Sequence, residues 1–125
     1  MTENEIATAI VNAAYTIHKK LGPGLLESVY EKTVMHELLK AGFEVRRQQP
    51  FPFVYESLRM NIGFRADLIV ADKVIVEIKS IEAIAPVHRK QLLTYLKVTD
   101  RKLGLLINFN VELIKHGITR VVNNL

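Results

Sequence analysis

The sequence predicts an α/β fold, a mixed central β-sheet flanked by helices, in the order α-α-β-β-β-α-β-β. Three observations carry this expectation. Apolar residues recur at three- and four-residue steps up to Gly42. Beyond it the pattern changes to short runs rich in β-formers. A helix opened by Pro86 then separates "KVIVEIKS" from "LGLLINF", a continuously apolar run of the fully buried strand kind.

Thr2-x-x-Glu5 is a capping-box pattern placed directly before Ile6, Ile10, Ala13 and Ile17. The first helix is therefore expected to run to about Lys20, where Gly22-Pro23-Gly24 interrupts it. Gly22 suits a left-handed stop and Pro23 cannot continue the helix. A second helix is expected over "LLESVYEKTVMHELLKAG", with Leu26, Val29, Tyr30, Thr33, Val34, Leu38 and Leu39 as a wide apolar face and Gly42 as its end. "FEVRRQQPFPFVY" and "LRMNIGFRADLIV" read as strands, and Pro50 and Pro52 mark the first as an edge or irregular strand. "KVIVEIKS" is the clearest strand. Proline at the start of the third helix is in a favoured place, and Leu92, Leu93 and Leu96 form that helix's buried side. "GITRVV" supplies the last strand. There is no internal repeat, low-complexity segment or linker.

At 125 residues, the chain fits one domain, 1–125, with room for a core that needs no disulfide or structural metal. It contains no cysteine, which excludes thiolate catalysis and Cys-ligated zinc. The start "MTENEIATAI" lacks a basic signal-peptide region, and no apolar run is long enough for a membrane span. The expectation is a soluble, cytoplasmic protein with no membrane partner. The net charge is +4, with basic pairs at Lys19-Lys20, Arg46-Arg47, Arg89-Lys90 and Arg101-Lys102. Either a phosphate-bearing partner or a set of solvated basic positions accounts for this balance.

The chemistry concentrates in "ADLIVADKVIVEIKS", residues 66–80, where Asp67, Glu77 and Lys79 interrupt an apolar stretch. Buried charges are costly unless paired, hydrogen-bonded or bound to a metal. Glu77 and Lys79 project from one face of their strand, roughly 7 Å apart, and Val74, Val76 and Ile78 from the other. In an antiparallel hairpin, a loop centred on Asp72 sets Asp67 opposite Glu77. A two-residue loop at Asp72-Lys73 sets it opposite Ile78 instead and turns it away. The site thus requires an odd-numbered loop, Ala71 to Lys73, or a compensating bulge, although no glycine marks such a turn. Given that register, two carboxylates converge beside an ammonium. Mg²⁺ binds through one or two carboxylates, a carbonyl and waters, and these parts suit metal-assisted phosphodiester hydrolysis. The bland alternative is an exposed Glu-Lys pair and an unrelated Asp at a bend.

The pattern D-x9-E-x-K between strands, with a glutamate-bearing helix before it and a glutamine-bearing helix after it, resembles the PD-(D/E)XK nuclease superfamily. More narrowly, "GLLESVY", residues 24–30, reads G-x-x-E-x-x-Y and is similar to the signature of the GxxExxY family within that superfamily. "IHKKLGPGLLESVYE", "RADLIVADKVIVEIKS" and "HRKQLLTYLK" all resemble family blocks in the expected order. The resemblance implies a restriction-endonuclease-like core. It implies Asp67 and Glu77 as metal ligands with the Ile78 carbonyl as a third, Lys79 as the catalytic lysine, and Glu27 as the helix glutamate near metal-bound water or a second metal. Gln91 matches the helix glutamine near the active site, and Tyr95 shares its helix face one turn later. Ala66 stands where superfamily patterns often have proline.

Several residues also have structural explanations. Glu27 complements a helix dipole, and Tyr30 is either a core aromatic with a tethered hydroxyl or a residue supporting the site. His18, facing the Gly-Pro-Gly turn, reads as a helix-surface histidine, and His36, His88 and His116 show no metal-ligand spacing. The expected function is a Mg²⁺-dependent nuclease, with Mn²⁺ as a substitute, in which a metal-activated water attacks a DNA or RNA phosphodiester in line. The alternative is a non-catalytic module that binds nucleic acid or protein. A hydrolase of another phosphoester, such as a small nucleotide, is a third reading, since the chain has no Trp and shows no base-stacking aromatic cluster. A domain this small contacts little nucleic acid alone, which points to a homodimer or a partner.

Overall fold

The computed structural model describes residues 1–125, with Ile62 described by its backbone alone. Thr2 and Glu5 close the capping box reciprocally, at 3.2 Å and 2.9 Å, and helix α1 runs Glu3–Leu21. Ile6, Ile10, Ala13 and Ile17 are all buried, as their spacing predicts. Gly22 stops the helix at φ 69°, its N–H donating to the His18 carbonyl at 2.8 Å.

Helix α2, Glu27–Lys40, corrects the expected wide face. Only Tyr30, Val34 and Leu38 of the seven apolar-face positions are buried, whereas Leu26, Val29 and Leu39 are exposed. The helix starts only after Leu26, which is its N-cap residue. Tyr30, Val34 and Leu38, at four-residue steps, form a narrow stripe of contact. The flank beside Tyr30 is taken by a buried glutamate, Glu31.

Strands β1 (Val45–Tyr55) and β2 (Leu58–Val70) form a long hairpin, followed by β3 (Val74–Lys79). Helix α3, Pro86–Val98, crosses to β4 (Leu103–Asn108), and a short 3-10 turn, Ile114–His116, leads to β5 (Ile118–Val122). The five strands lie in the order β1-β2-β3-β4-β5. β3 and β4 are parallel and the other pairs antiparallel. The sheet is therefore mixed and the element order is the expected one. Pro50 and Pro52 sit in β1, an edge strand, where a missing N–H costs no ladder bond on the open side.

One face of the sheet packs against α1 and α2 through residues such as Val74, Val76, Ile78, Leu68 and Val70. The other packs against α3 through Ile69, Ile75, Leu106, Leu92 and Leu96. Strict alternation fails at one place. Ala66 and Ile69, three residues apart, both pack on the α3 side, so the faces of β2 exchange across Asp67. On β1 the exchange falls at Gln48, whose φ is 54°: Val45 packs on the α1–α2 side and Phe51 on the α3 side. No helix is long and apolar enough to cross a membrane.

Candidate active site

The β2–β3 turn decides whether the charged residues meet. Its pairs are Val70 with Val74, Ile69 with Ile75 and Leu68 with Val76. The loop is thus Ala71-Asp72-Lys73, centred on Asp72, and one step beyond the last pair Asp67 stands opposite Glu77. No glycine is needed because Ala71 and Asp72 themselves adopt φ 52° and 56°. That conformation costs roughly 1–2 kcal/mol per non-glycine residue. Neighbouring groups hold it: Ala71 N–H donates to the Glu44 carbonyl at 2.8 Å and Lys73 N–H to Val70 at 3.0 Å. Arg101 grips Asp72 twice, from Nη2 to Oδ1 at 2.6 Å and from Nε to the carbonyl at 3.3 Å.

Asp67 accepts the Ile78 N–H on Oδ2 at 2.8 Å and Gln48 Nε2 on Oδ1 at 3.2 Å. The N–H and C=O of a strand residue point to the same side, so the Ile78 carbonyl is turned toward the same gap between β2 and β3. Glu77 is 7 % exposed. Burial first, and the Asp67 carboxylate beside it second, push its carboxyl up to about 9, against a partial opposing pull from Lys79. Its Oε1 is a buried side-chain oxygen with no hydrogen-bond partner among the described residues.

An unpartnered carboxylate oxygen in a buried site is expensive, and a cation is the partner that would satisfy it. Among the described residues no group of three or more His, Asp or Glu side chains gathers closely enough to hold an ion by itself. Two carboxylates with a carbonyl and waters are nonetheless a donor set that hard divalent cations accept. The residues present fit such an ion.

A family model described as the PD-(D/E)XK nuclease superfamily matches residues 4–121. The chain belongs to this superfamily. Comparison with curated proteins and with solved structures gives no match in either set. The mixed sheet and three helices are compatible with the restriction-endonuclease-like core of PD-(D/E)XK proteins, whose members generally use divalent metals.

The remaining sequence-predicted positions divide between the two sides of the sheet. Glu27, in the first turn of α2, accepts the Ser80 N–H on Oε2 at 3.1 Å, and Ser80 Oγ donates to the Leu25 carbonyl at 2.6 Å. The start of α2 is thereby tied to the end of β3, just past Lys79. Glu27 also lines a cleft of about 260 Å³ with Ser28, Glu31, Gln48, Asp67 and Ile78. Gln91 and Tyr95 approach from α3. The Tyr95 hydroxyl is held above the usual phenol range by burial and then by the charges of Glu77 and Asp67, with Gln91 beside it pulling the other way. Tyr30 is fully buried, stacked on Phe109 at 4.4 Å. Its hydroxyl donates to the Gly22 carbonyl at 2.6 Å and accepts from Leu25 N–H at 3.2 Å, so it acts on the turn that delivers Glu27. His18 is a correction: it is buried, not on the helix surface, and its Nε2 lies 2.8 Å from the Val111 carbonyl.

Four neighbours of the site escaped sequence reading. Gln48 Nε2 donates to Glu31 Oε1 at 2.6 Å as well as to Asp67, and Arg47 Nη1 binds Glu31 Oε2 at 3.0 Å. The resulting chain Arg47–Glu31–Gln48–Asp67 orients the first carboxylate. One signal was present: Glu27 and Glu31 are four apart, hence on one helix face. The fourth neighbour, Asn108, is 2 % exposed. It accepts the Ile81 and Asn110 N–H groups on Oδ1, at 3.1 Å and 3.2 Å, and donates to the Ile81 carbonyl at 3.0 Å. Paired with Lys79 in the sheet, it fixes the loop that leaves the site.

Proposed function

We propose that this chain is a metal-dependent nuclease that hydrolyses a nucleic-acid phosphodiester at the β2–β3 site. The observation that carries the reading is the buried Glu77 opposite Asp67, with an oxygen left unpartnered. Asp67, Glu77 and the Ile78 carbonyl would hold Mg²⁺, with Mn²⁺ as a substitute. A divalent cation at such a site supplies positive charge for the phosphoryl oxygens and makes bound water more acidic. Lys79, on the face of Glu77, orients the attacking water and stabilises charge building on the phosphate. Gln48 and the Ile78 N–H fix the Asp67 carboxylate, Glu27 anchors Ser80 behind Lys79, and Gln91 and Tyr95 border the site from α3. In-line attack of water on phosphorus would break the bond to the leaving oxygen, the proton shed by the water passing to solvent and the leaving oxygen taking one up from solvent.

The narrower grouping with the GxxExxY family is supported by how its three motif positions cooperate. Gly24 takes φ 97°, Tyr30 ties the turn on either side of it, and Glu27 reaches Ser80. We infer one domain over residues 1–125, acting in the cytoplasm, singly or as a homodimer.

The test is incubation with Mg²⁺ or Mn²⁺ and a panel of DNA and RNA substrates, for the wild type and for Asp67→Ala and Lys79→Ala. Cleavage by the wild type alone is expected. Cleavage that survives both substitutions, or no cleavage of any substrate by a protein that binds neither metal, would overturn the reading in favour of a non-catalytic binding module.

A further inference from the structure

The aromatic residues of the β1–β2 hairpin are scattered in the sequence but gather in the fold. Phe51 stacks on Phe64 at 4.9 Å between centroids, and Phe64 on Tyr95 of α3 at 3.9 Å, with planes within 19° and 10° of parallel. The Arg101 guanidinium closes the far end, 5.5 Å from the Phe51 centroid. Beside this stack lies an open slot of about 260 Å³, walled by Phe53, Met60, Gly63, Phe64, Tyr95 and Val98. Phe53 makes no stack with another ring among the described residues.

The slot is built by irregularities in the hairpin. Phe51 pairs with Phe64 but Phe53 pairs with Met60, so β2 carries two extra residues opposite Pro52. Such bulges re-aim side chains and are common beside active sites. Gly63 lies within the bulge, where a Cβ would come within 2.5 Å of Phe53 Cβ. Phe53 therefore sits directly on glycine backbone, and a side chain there would push it out of the slot wall.

Charge and position select the occupant. Residues 45–66 and α3 together carry seven Lys or Arg against one acid, Glu56, in a chain whose whole net charge is only +4. Arg46 and Arg47 are paired with Glu44 and Glu31, whereas Arg59, Arg65, Arg89, Lys90 and Lys97 have no ion pair among the described residues. Phe64 precedes Asp67 by three residues on β2, about 10 Å along the strand, or three stacked nucleotides. Aromatic faces are how proteins hold unstacked bases; none of these basic residues lines the slot itself, so they supply a general attraction for phosphate rather than a contact to the base. The slot lies between the hairpin on one side and α3 on the other, with aromatic rings from both in its wall.

We propose that this slot takes one unpaired nucleobase, so that the strand cut at the acidic pair is single-stranded about three nucleotides from the scissile phosphate. The inference rests on the nuclease reading and names its substrate class. The test uses binding in EDTA, where no metal-dependent cleavage intervenes. Fluorescence anisotropy compares the full chain with labelled DNA and RNA oligonucleotides of one sequence, each single-stranded or as a blunt duplex. Single strands should bind at least about tenfold more tightly, and Phe53→Leu should remove about tenfold of that affinity, the loss of one base stack, while leaving duplex binding within twofold. Preference in only one of the DNA and RNA arms identifies the sugar and also supports the slot. Equal affinity for single strand and duplex, or a folded Phe53→Leu protein with unchanged affinity, would overturn it. Should Phe53→Leu fail to fold, the wild type decides: a 2-aminopurine base scanned along the strand should be quenched at one position, and no quenching at any position overturns the slot. A protein that cuts duplexes in an Asp67-dependent way without preferring single strands refutes the slot alone. One that prefers single strands but never cuts supports the slot and refutes the nuclease reading.

Discussion

Replacing Glu77 by glutamine should stabilise the metal-free protein and remove the proposed metal binding. In the fold the carboxyl is raised from 4.5 to about 9, chiefly by burial and then by Asp67. Between those two values the unfolded chain is ionised and the folded chain keeps the proton. Unfolding then releases a proton, so stability is highest below about pH 4.5 and falls as pH rises towards 9. At pH 7 the difference amounts to about 3 kcal/mol, from 1.36 kcal/mol per unit over the span between the unfolded value and neutrality. Glutamine fills the same space without a charge, and its amide can donate to the neighbouring Asp67. For a chain of this length the gain corresponds to a rise in melting temperature on the order of 10 °C.

The assay is thermal denaturation followed by circular dichroism in EDTA at pH 5, 7 and 9, for wild type and Glu77→Gln. The gap between the two should be small at pH 5 and widen with pH, because the wild type alone meets the cost of charging Glu77. Titration calorimetry with Mn²⁺ should show binding to the wild type and none to the variant. A melting-temperature gap that does not depend on pH, or a variant less stable than wild type at pH 7, would refute the reasoning. Either result would mean that its surroundings do not hold the Glu77 carboxyl above its ordinary range.

Other perturbations separate the parts of the site. Gln48→Leu leaves both Glu31 and Asp67 short of a charge-assisted hydrogen bond and should cost about 2–3 kcal/mol in urea denaturation, with weaker metal binding by calorimetry. Arg101→Ala frees the Asp72 turn; a loss of about 1–2 kcal/mol is expected, and amide exchange should rise at Lys73 and Ala71. Tyr30→Phe keeps the stack on Phe109 but loses both hydroxyl bonds, for a cost of about 1–2 kcal/mol by denaturant titration.

Much of this fold was legible in the sequence because its elements end where chemistry says they must. β2 spans the run 58–70 and α3 begins at Pro86 as expected, since proline and the change of hydrophobic period are local signals. The face of α2 was not legible. Val29 and Leu39 have the right character for a core, but whether a helix buries a wide or a narrow stripe depends on how much of it its neighbours cover. The hairpin register could be narrowed to alternatives but not chosen from local residues. A grip from Arg101, 29 residues from Asp72, holds the turn with positive φ at two non-glycine residues. Gln48 was invisible for the same reason: a glutamine in a strand pattern gives no sign that its backbone turns left-handed, or that a helix glutamate waits above it.

The site's departures from residue preference share a location. Gln48, Ala71 and Asp72 hold positive φ without being glycine, and Glu77 is buried with an oxygen unpartnered. All four belong to the β1–β2–β3 segment around Asp67. Each departs from what its residue type prefers, and each is held by a group distant in sequence: Glu31 for Gln48, Glu44 for Ala71, Arg101 for Asp72. Glu77 is the exception: it is buried beside another carboxylate, and Lys79 offsets only part of that cost. A set of costs that is compensated at three positions and left open at the fourth supports the proposed cation site. Were the compensation complete, a cation would have nothing to contribute. Were it absent at the turn as well, Asp67 would not be held opposite Glu77.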